Sequence, residues 1–261
     1  MSEEIFLRGG GRNEVSKRGN VVFRSSGPWS QSVIHPLRHL ELFGFSEAPI
    51  VIDSGFDESG RETLSFIDGD VLHPKPWTDE ALPKLGAMIK RLHDATKLFP
   101  IPEDVVWQPW FGRSLGTGPW VVGHCDVGPW NIVSRNGLPV ALIDWELAGP
   151  VRQDTELAQA CWLNAQLYDD DIAEKVGLGS VTSRARQMRL LLDGYGLTRS
   201  ARKGFVDKVI ELAVLDAAAQ ATESCVTAES RDVEPLWAIT WRTKSAAWML
   251  RNRHILDAAL V

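Results

Sequence analysis

Residues 123–133, GHCDVGPWNIV, set a histidine, a cysteine and an aspartate side by side and place a glycine, a proline and an asparagine close behind. Those residue types fit a metal-ligand cluster, a thiol nucleophile with its base, a tight turn, or some other use. A zinc site on His124 and Cys125 needs two more soft ligands, and Cys161, Cys225 and the remaining histidines show no metal-like spacing. Cys125 has no second base beside it, so it reads as a packing residue rather than a nucleophile. Farther along, Asn136-Gly137 is flanked by Ile132-Val133 and Val140–Ile143, the pattern of a β-hairpin with a tight turn. Asn131 lies five residues before that turn and Asp144 seven after it, so pairing the arms brings them together at the open end. Asp126 stands five residues ahead of Asn131, across a turn favoured by Gly128-Pro129. Asp126, Asn131 and Asp144 therefore converge. A neutral amide with carboxylates suits a hard cation such as Mg²⁺, which takes one or two carboxylates and leaves Asp126 to accept a proton. Taken singly, Asp126 and Asn131 also read as turn caps.

The elements that must hold these residues divide the chain in two. The first seventy residues read as short strands: EIFLR before Gly9-Gly10-Gly11, two strands in EVSKRGNVVFRSS joined at Gly19-Asn20, then APIVIDSGF and RETLSFI. Among them residues 26–45 hold a helix, with Val33, Leu37, Leu40 and Phe43 at helical spacing. Residues 79–96 carry Leu82, Leu85, Ile89 and Leu92 on one helical face, and from about 154 onward the chain reads as helical with breaks near 177–179 and 194–196. Strands first and helices later predict an α+β protein of two lobes, residues 1–69 and 70–261.

Composition narrows the function classes. The 261 residues carry a formal net charge of −6 without a basic cluster, which argues against nucleic acid as a partner. Mild acidity suits solubility first and a cationic substrate second. No apolar run approaches the length needed to cross a bilayer, and MSEEIFLRGG lacks the pattern of a secretory signal. Three cysteines, odd in number and far apart, point to a reducing compartment, so a cytoplasmic protein with no membrane partner is expected.

His124-x-Asp126-x4-Asn131, a hairpin, and then Ile143-Asp144-Trp145-Glu146 resemble the catalytic loop and metal-binding aspartate of the aminoglycoside phosphotransferase and choline kinase family. The resemblance implies a protein-kinase-like fold, with a small antiparallel sheet in the N-terminal lobe and a mostly helical C-terminal lobe. It extends to Leu7–Asn13, similar to the glycine-rich loop over the nucleotide phosphates, with Gly10, Gly11 and Asn13 as cofactor-binding candidates. Leu64–Gly69 is similar to the hinge, where the backbone of Ser65 and Ile67 would meet the adenine edge. Leu92-His93 and Glu156-Leu157-Ala158 also match the family's pattern. The activity this resemblance implies is transfer of the γ-phosphoryl group of ATP (or GTP) to a hydroxyl on a small molecule: an aminoglycoside-like compound, an amino alcohol or another metabolite. Asp126 would act as base, Asn131 and Asp144 would hold Mg²⁺, and His124 would brace the loop.

Two departures qualify that expectation. Arg24, in Val21-Val22-Phe23-Arg24, stands where the family has a lysine gripping the phosphates, and the following helix offers only His35 and Glu41 as partners. A catalytically degenerate, nucleotide-binding regulatory protein is accordingly the competing expectation. Protein kinase activity fits less well, because Gly128 replaces the loop lysine and no Ala-Pro-Glu segment follows Asp144. Glu146 fits either support of the metal site or an exposed turn. For the acceptor, Asp169–Asp171, the acidic positions 223, 229, 232 and 234, and an aromatic cage of Trp237, Trp241 and Trp248 are candidates. Solvated faces and a packed helix stripe are the simpler readings of the same residues.

Overall fold

The computed structural model describes residues 3–7 and 15–261. Gly10, Gly11 and Asn13, the expected phosphate-loop residues, lie outside the described residues. Five short strands alternate with one helix at the start: β1 (Glu4–Phe6), β2 (Val15–Arg18), β3 (Val21–Arg24), α1 (Ser30–Leu42), β4 (Val51–Phe56) and β5 (Glu62–Ser65). They form one antiparallel sheet in the order β1-β2-β3-β5-β4. The turn between β4 and β5 closes on Asp57, whose Oδ1 accepts the N–H groups of Ser59 and Arg61. Helix α1 packs on the sheet with Val33, Leu37 and Leu40 of the expected stripe buried, while Phe43, the fourth, falls just past the helix end and is exposed.

Beyond the sheet come β6 (Asp70–Val71), α2 (Ala81–Thr96), β7 (Trp120–Gly123), β8 (Ile132–Arg135), β9 (Leu138–Leu142), β10 (Gly149–Arg152) and α3 (Gln153–Asn164). The chain closes with α4 (Asp170–Val176), α5 (Val181–Tyr195), α6 (Phe205–Glu223), α7 (Val233–Arg251) and α8 (Arg253–Leu260). Strands β6, β8 and β9 make a three-stranded sheet, and β7 pairs with β10. The architecture is α+β and two-lobed. The helix breaks expected near 177 and 196 are glycine caps in the left-handed region, at Gly177 and Gly196. Among the described residues no helix is long and apolar enough to cross a membrane.

Helix α3 is buried on every side from Thr155 to Asn164, which explains why its sequence has no clean helical stripe. Helices α2 and α5 flank it and approach each other at two glycines. A Cβ on Gly86 would stand 2.0 Å from the Leu191 carbonyl oxygen, and one on Gly194 would stand 2.0 Å from the Pro83 carbonyl oxygen. This approach sets His93 of α2 against Tyr195 of α5 beneath the site. Gly86→Ala is expected to cost about 3 kcal/mol by overpacking. Thermal unfolding should then fall by about 8 °C; an unchanged midpoint would contradict the close approach.

Candidate functional site

The hairpin forms as its sequence requires. Asn136 and Gly137 turn the chain at φ 53° and 75°, and Ile132 pairs with Leu142 and Val133 with Ala141 before a one-residue bulge. At the open end Ile143 N–H donates to Asn131 O at 2.9 Å, tying the residue before Asp144 to the loop that carries Asp126. Besides Asn136 in the turn, Cys125 (φ 64°) and Asp144 (φ 62°) also adopt left-handed backbones. Such strained positions persist only where their surroundings enforce them.

For Cys125 the enforcing side chains come from α3. Glu156 Oε1 accepts the Cys125 N–H at 2.6 Å, Gln159 Nε2 donates to the Cys125 carbonyl at 3.1 Å, and Gln159 Oε1 accepts the Val127 N–H at 3.2 Å. Asn164 Nδ2 donates to the Val127 carbonyl at 2.8 Å. Glu156 is fully buried and its second oxygen meets His93 Nε2 at 2.5 Å, while His93 Nδ1 lies 2.8 Å from the Tyr195 hydroxyl. Burial alone would raise the Glu156 pKa, but the His93 contact and the Cys125 N–H outweigh it and hold the carboxyl below its ordinary value. The Cys125 thiol is also fully buried, and burial pushes its pKa up, so it is no nucleophile.

Asp126 is half-buried at the floor of the site. Asn131 Nδ2 donates to its Oδ2 at 2.8 Å and to its main-chain carbonyl at 3.1 Å, with Trp130 Nε1 farther off at 3.5 Å from Oδ2. Burial, reinforced by the charges of Asp144 and Asp216, pushes the Asp126 carboxyl up to about 6, while Trp130 and Asn131 pull the other way. His124 is buried behind the loop, accepting the Asp126 N–H on Nδ1 at 3.3 Å and reaching the Ile143 carbonyl from Nε2 at 2.9 Å. Burial lowers its pKa against the opposing field of Glu156, which keeps the ring neutral with one donor and one acceptor. Its contacts are to loop backbone, which fits a bracing role.

Asn131 donates from Nδ2 twice to Asp126, which leaves Oδ1 as the atom that could ligate a cation, and the Asp144 side chain is 48% exposed. An amide oxygen beside a carboxylate is a donor set that fits Mg²⁺. Facing it from β3, Arg24 Nη1 donates to Asp144 Oδ1 and Nη2 to Glu146 Oε2, both at 2.8 Å. Glu146 therefore belongs to the site's charge network rather than to an exposed turn. In the expected hinge, the Ser65 N–H is committed to the Ile50 carbonyl and the Phe66 N–H to the Asn20 carbonyl, both at 2.8 Å, so an adenine contact there would have to use other peptide groups.

Several expected acceptor residues are structural instead. Asp169 pairs with Arg251, Asp170 with Arg184 and Asp171 with Lys244, so the acidic run anchors α4 to α5 and α7. Trp248 is fully buried and donates to Asp170, and Trp241 stacks on Trp162 with ring centroids 5.2 Å apart. Only Trp237 of the expected cage is exposed. Sequence reasoning missed Asp216 of α6, which pairs with Arg242 of α7 at 2.9 Å and whose charge is felt at Asp126. It also missed Gln159, Asn164 and Arg113. The Arg113 guanidinium donates to the carbonyls of Gln108 and Leu147 at 2.9 and 2.8 Å, securing the segment after Asp144.

Sheet order, hairpin and loop together define a two-lobed, protein-kinase-like phosphotransferase fold. The model of the phosphotransferase enzyme family matches residues 68–179, a span that includes Asp126, Asn131 and Asp144 but not Arg24. The chain is 67% identical over 260 residues to the trifolitoxin immunity protein of Rhizobium leguminosarum bv. trifolii, covering 100% of both chains. Among solved structures it resembles the microcompartment-associated aminopropanol kinase, with a TM-score of 0.65 at 13% identity over 100% of this chain and 95% of the other. It resembles an ADP-bound aminoglycoside phosphotransferase with a TM-score of 0.53 at 13% identity, covering 94% of each chain. The chain belongs to the phosphotransferase enzyme family.

Because Glu156 is fully buried, Glu156→Gln should destabilise the protein by about 3 kcal/mol at neutral pH. A folded pKa below the unfolded one gives a stabilisation that is complete above the unfolded value and lost as pH falls through the folded value. Denaturant titrations of both proteins should therefore converge as pH drops through the carboxylate range; a pH-independent gap would contradict the buried charge.

Proposed function

We propose that the chain transfers the γ-phosphoryl group of ATP (or GTP) to a hydroxyl of a toxin and confers immunity by that modification. The observation that carries the reading is Asp126 bonded to Asn131 on a loop tied by Ile143 to Asp144. With its carboxyl pushed up to about 6, Asp126 is ionised at neutral pH yet a stronger base than an ordinary aspartate. Asn131 and Trp130 engage Oδ2 and fix the side chain, leaving Oδ1 for the acceptor hydroxyl. As the acceptor oxygen bonds the γ-phosphorus, its proton passes to Asp126 and the bridging oxygen leaves with the nucleoside diphosphate. Asn131 Oδ1 and Asp144 would hold Mg²⁺, which when bound neutralises charge on the β- and γ-phosphates. His124 holds the loop from behind, and the peptide groups of the Ser65–Ile67 stretch would meet the base.

The acceptor class is suggested by the immunity protein at 67% identity, since a family of phosphotransferases acting on small hydroxyl compounds offers a direct route to toxin inactivation. Trp130, which donates to Asp126, and Asp216, whose charge reaches it, would face the acceptor, and ATP supply makes the cytoplasm the working compartment. A second reading, a nucleotide-binding regulator that transfers nothing, is favoured by Arg24 in place of lysine and by its pairing with Asp144 and Glu146.

The test is incubation with Mg-ATP and trifolitoxin, reading nucleoside diphosphate release and the mass of the toxin. One added phosphoryl group is expected, and Asp126→Ala should slow its addition about 1,000-fold with nucleotide affinity unchanged. Protection of cells by Asp126→Ala as complete as by the wild type would overturn the catalytic reading in favour of the regulatory one.

A further inference from the structure

Arg24 lacks the partner that its place in the fold calls for. Helix α1 follows β3 directly, yet Glu41 is exposed and His35 makes no ion pair with Arg24 among the described residues. The carboxylate beside Arg24 comes from the sheet instead. Glu62 of β5 stands directly opposite Arg24 in the strand register, and its Oε2 lies 3.2 Å from Arg24 Nε, an ion contact off the hydrogen-bond axis. Its other oxygen, Oε1, accepts a hydrogen bond from the Ser30 hydroxyl at the first turn of α1, and Ser30 Oγ in turn accepts the Gly27 N–H at 2.8 Å. Arg24, Glu62 and Ser30 are all buried, at 7%, 7% and 1% exposure.

Both oxygens of Glu62 are thus used, one on Arg24 within the sheet and one on Ser30 of α1, and the guanidinium fork is left with Nη1 and Nη2 directed across to Asp144 and Glu146. We propose that Glu62 is the positioning residue for the nucleotide phosphates, holding Arg24 by Nε so that its two Nη groups face the phosphate site, with Ser30 fixing Glu62. The proposal rests on the nucleotide-dependent reading above. In the ligand-free protein Asp144 and Glu146 occupy the two Nη groups; with nucleotide bound, phosphate oxygens take their place while the Glu62 contact stays. A planar, permanently charged fork suits such an exchange, because one edge can be anchored while the other binds. Since the anchor is a neighbouring strand, the aim of Arg24 is set by sheet register and not by the position of α1.

The experiment is calorimetric titration of the full chain with Mg-ADP, needing no acceptor. Glu62→Gln, which keeps the shape and the Ser30 bond, should weaken binding about tenfold. In steady state it should raise KM for ATP and leave KM for the acceptor unchanged. In an Arg24→Gln background the same step should leave affinity unmoved, as expected of residues acting through one contact. Glu62→Asp should recover part of the loss. If Glu62→Gln fails to fold, Ser30→Ala is titrated instead, with about threefold weaker binding expected. Mg-ADP affinity equal to wild type in the variants, with only the unfolding midpoint lowered, would reduce the contact to a strand tie and overturn the proposal. Because nucleotide alone is the probe, the positioning role can stand when no toxin is phosphorylated and can fall when transfer is intact. A wild-type chain that binds no Mg-ADP would overturn both.

Discussion

Glu156 sits where three elements meet, one oxygen accepting the Cys125 N–H at 2.6 Å and the other facing His93 Nε2 at 2.5 Å. A fully buried carboxylate is tolerated only when its charge is answered on all sides, and here the answer comes from α2 and from the loop itself. That demand has a useful consequence. The left-handed turn at Cys125, costly for a residue with a side chain, is held by a charge-assisted bond and by the amide of Gln159. With Cys125 fixed, Asp126 points to Asn131, and Asn131 O receives Ile143 N–H one residue before Asp144. The glycine contacts between α2 and α5 keep His93 and Tyr195 at the distance this chain of bonds needs.

Across the cleft the N-terminal lobe contributes one cation. Arg24 gathers Glu62, Asp144 and Glu146 around one guanidinium, so the two lobes meet through charge beside Asp144. The family model matches only from residue 68 onward, and the departure at Arg24 falls in the part it leaves out.

What could be read from sequence was local. The hairpin is written in Asn136-Gly137 and its flanking apolar residues, and the spacing of Asp126, Asn131 and Asp144 about that turn places them together without further information. The helix breaks at Gly177 and Gly196 are local in the same way. What could not be read depends on pairing between distant elements. Glu62 is 38 residues from Arg24, and only the β3–β5 register sets them opposite. Gln159 and Asn164 look like ordinary surface polar residues of a helix, yet α3 is wrapped on all sides and turns them onto the loop that carries Asp126. The acidic run at 169–171 misled for the complementary reason, since its partners Arg184, Lys244 and Arg251 arrive from later helices.

If the loop and hairpin bring Asn131 and Asp144 together as one divalent-metal and nucleotide site beside Asp126, that site can be read by spectroscopy without any acceptor. Electron paramagnetic resonance of Mn²⁺ in place of Mg²⁺, titrated in the presence of ADP, reports on it directly. A protein-bound Mn²⁺–ADP signal is expected in the wild type, lost in Asp144→Asn and weakened in Asn131→Ala. An Mn²⁺–ADP signal unchanged by both substitutions would contradict the assignment of these two residues to the metal.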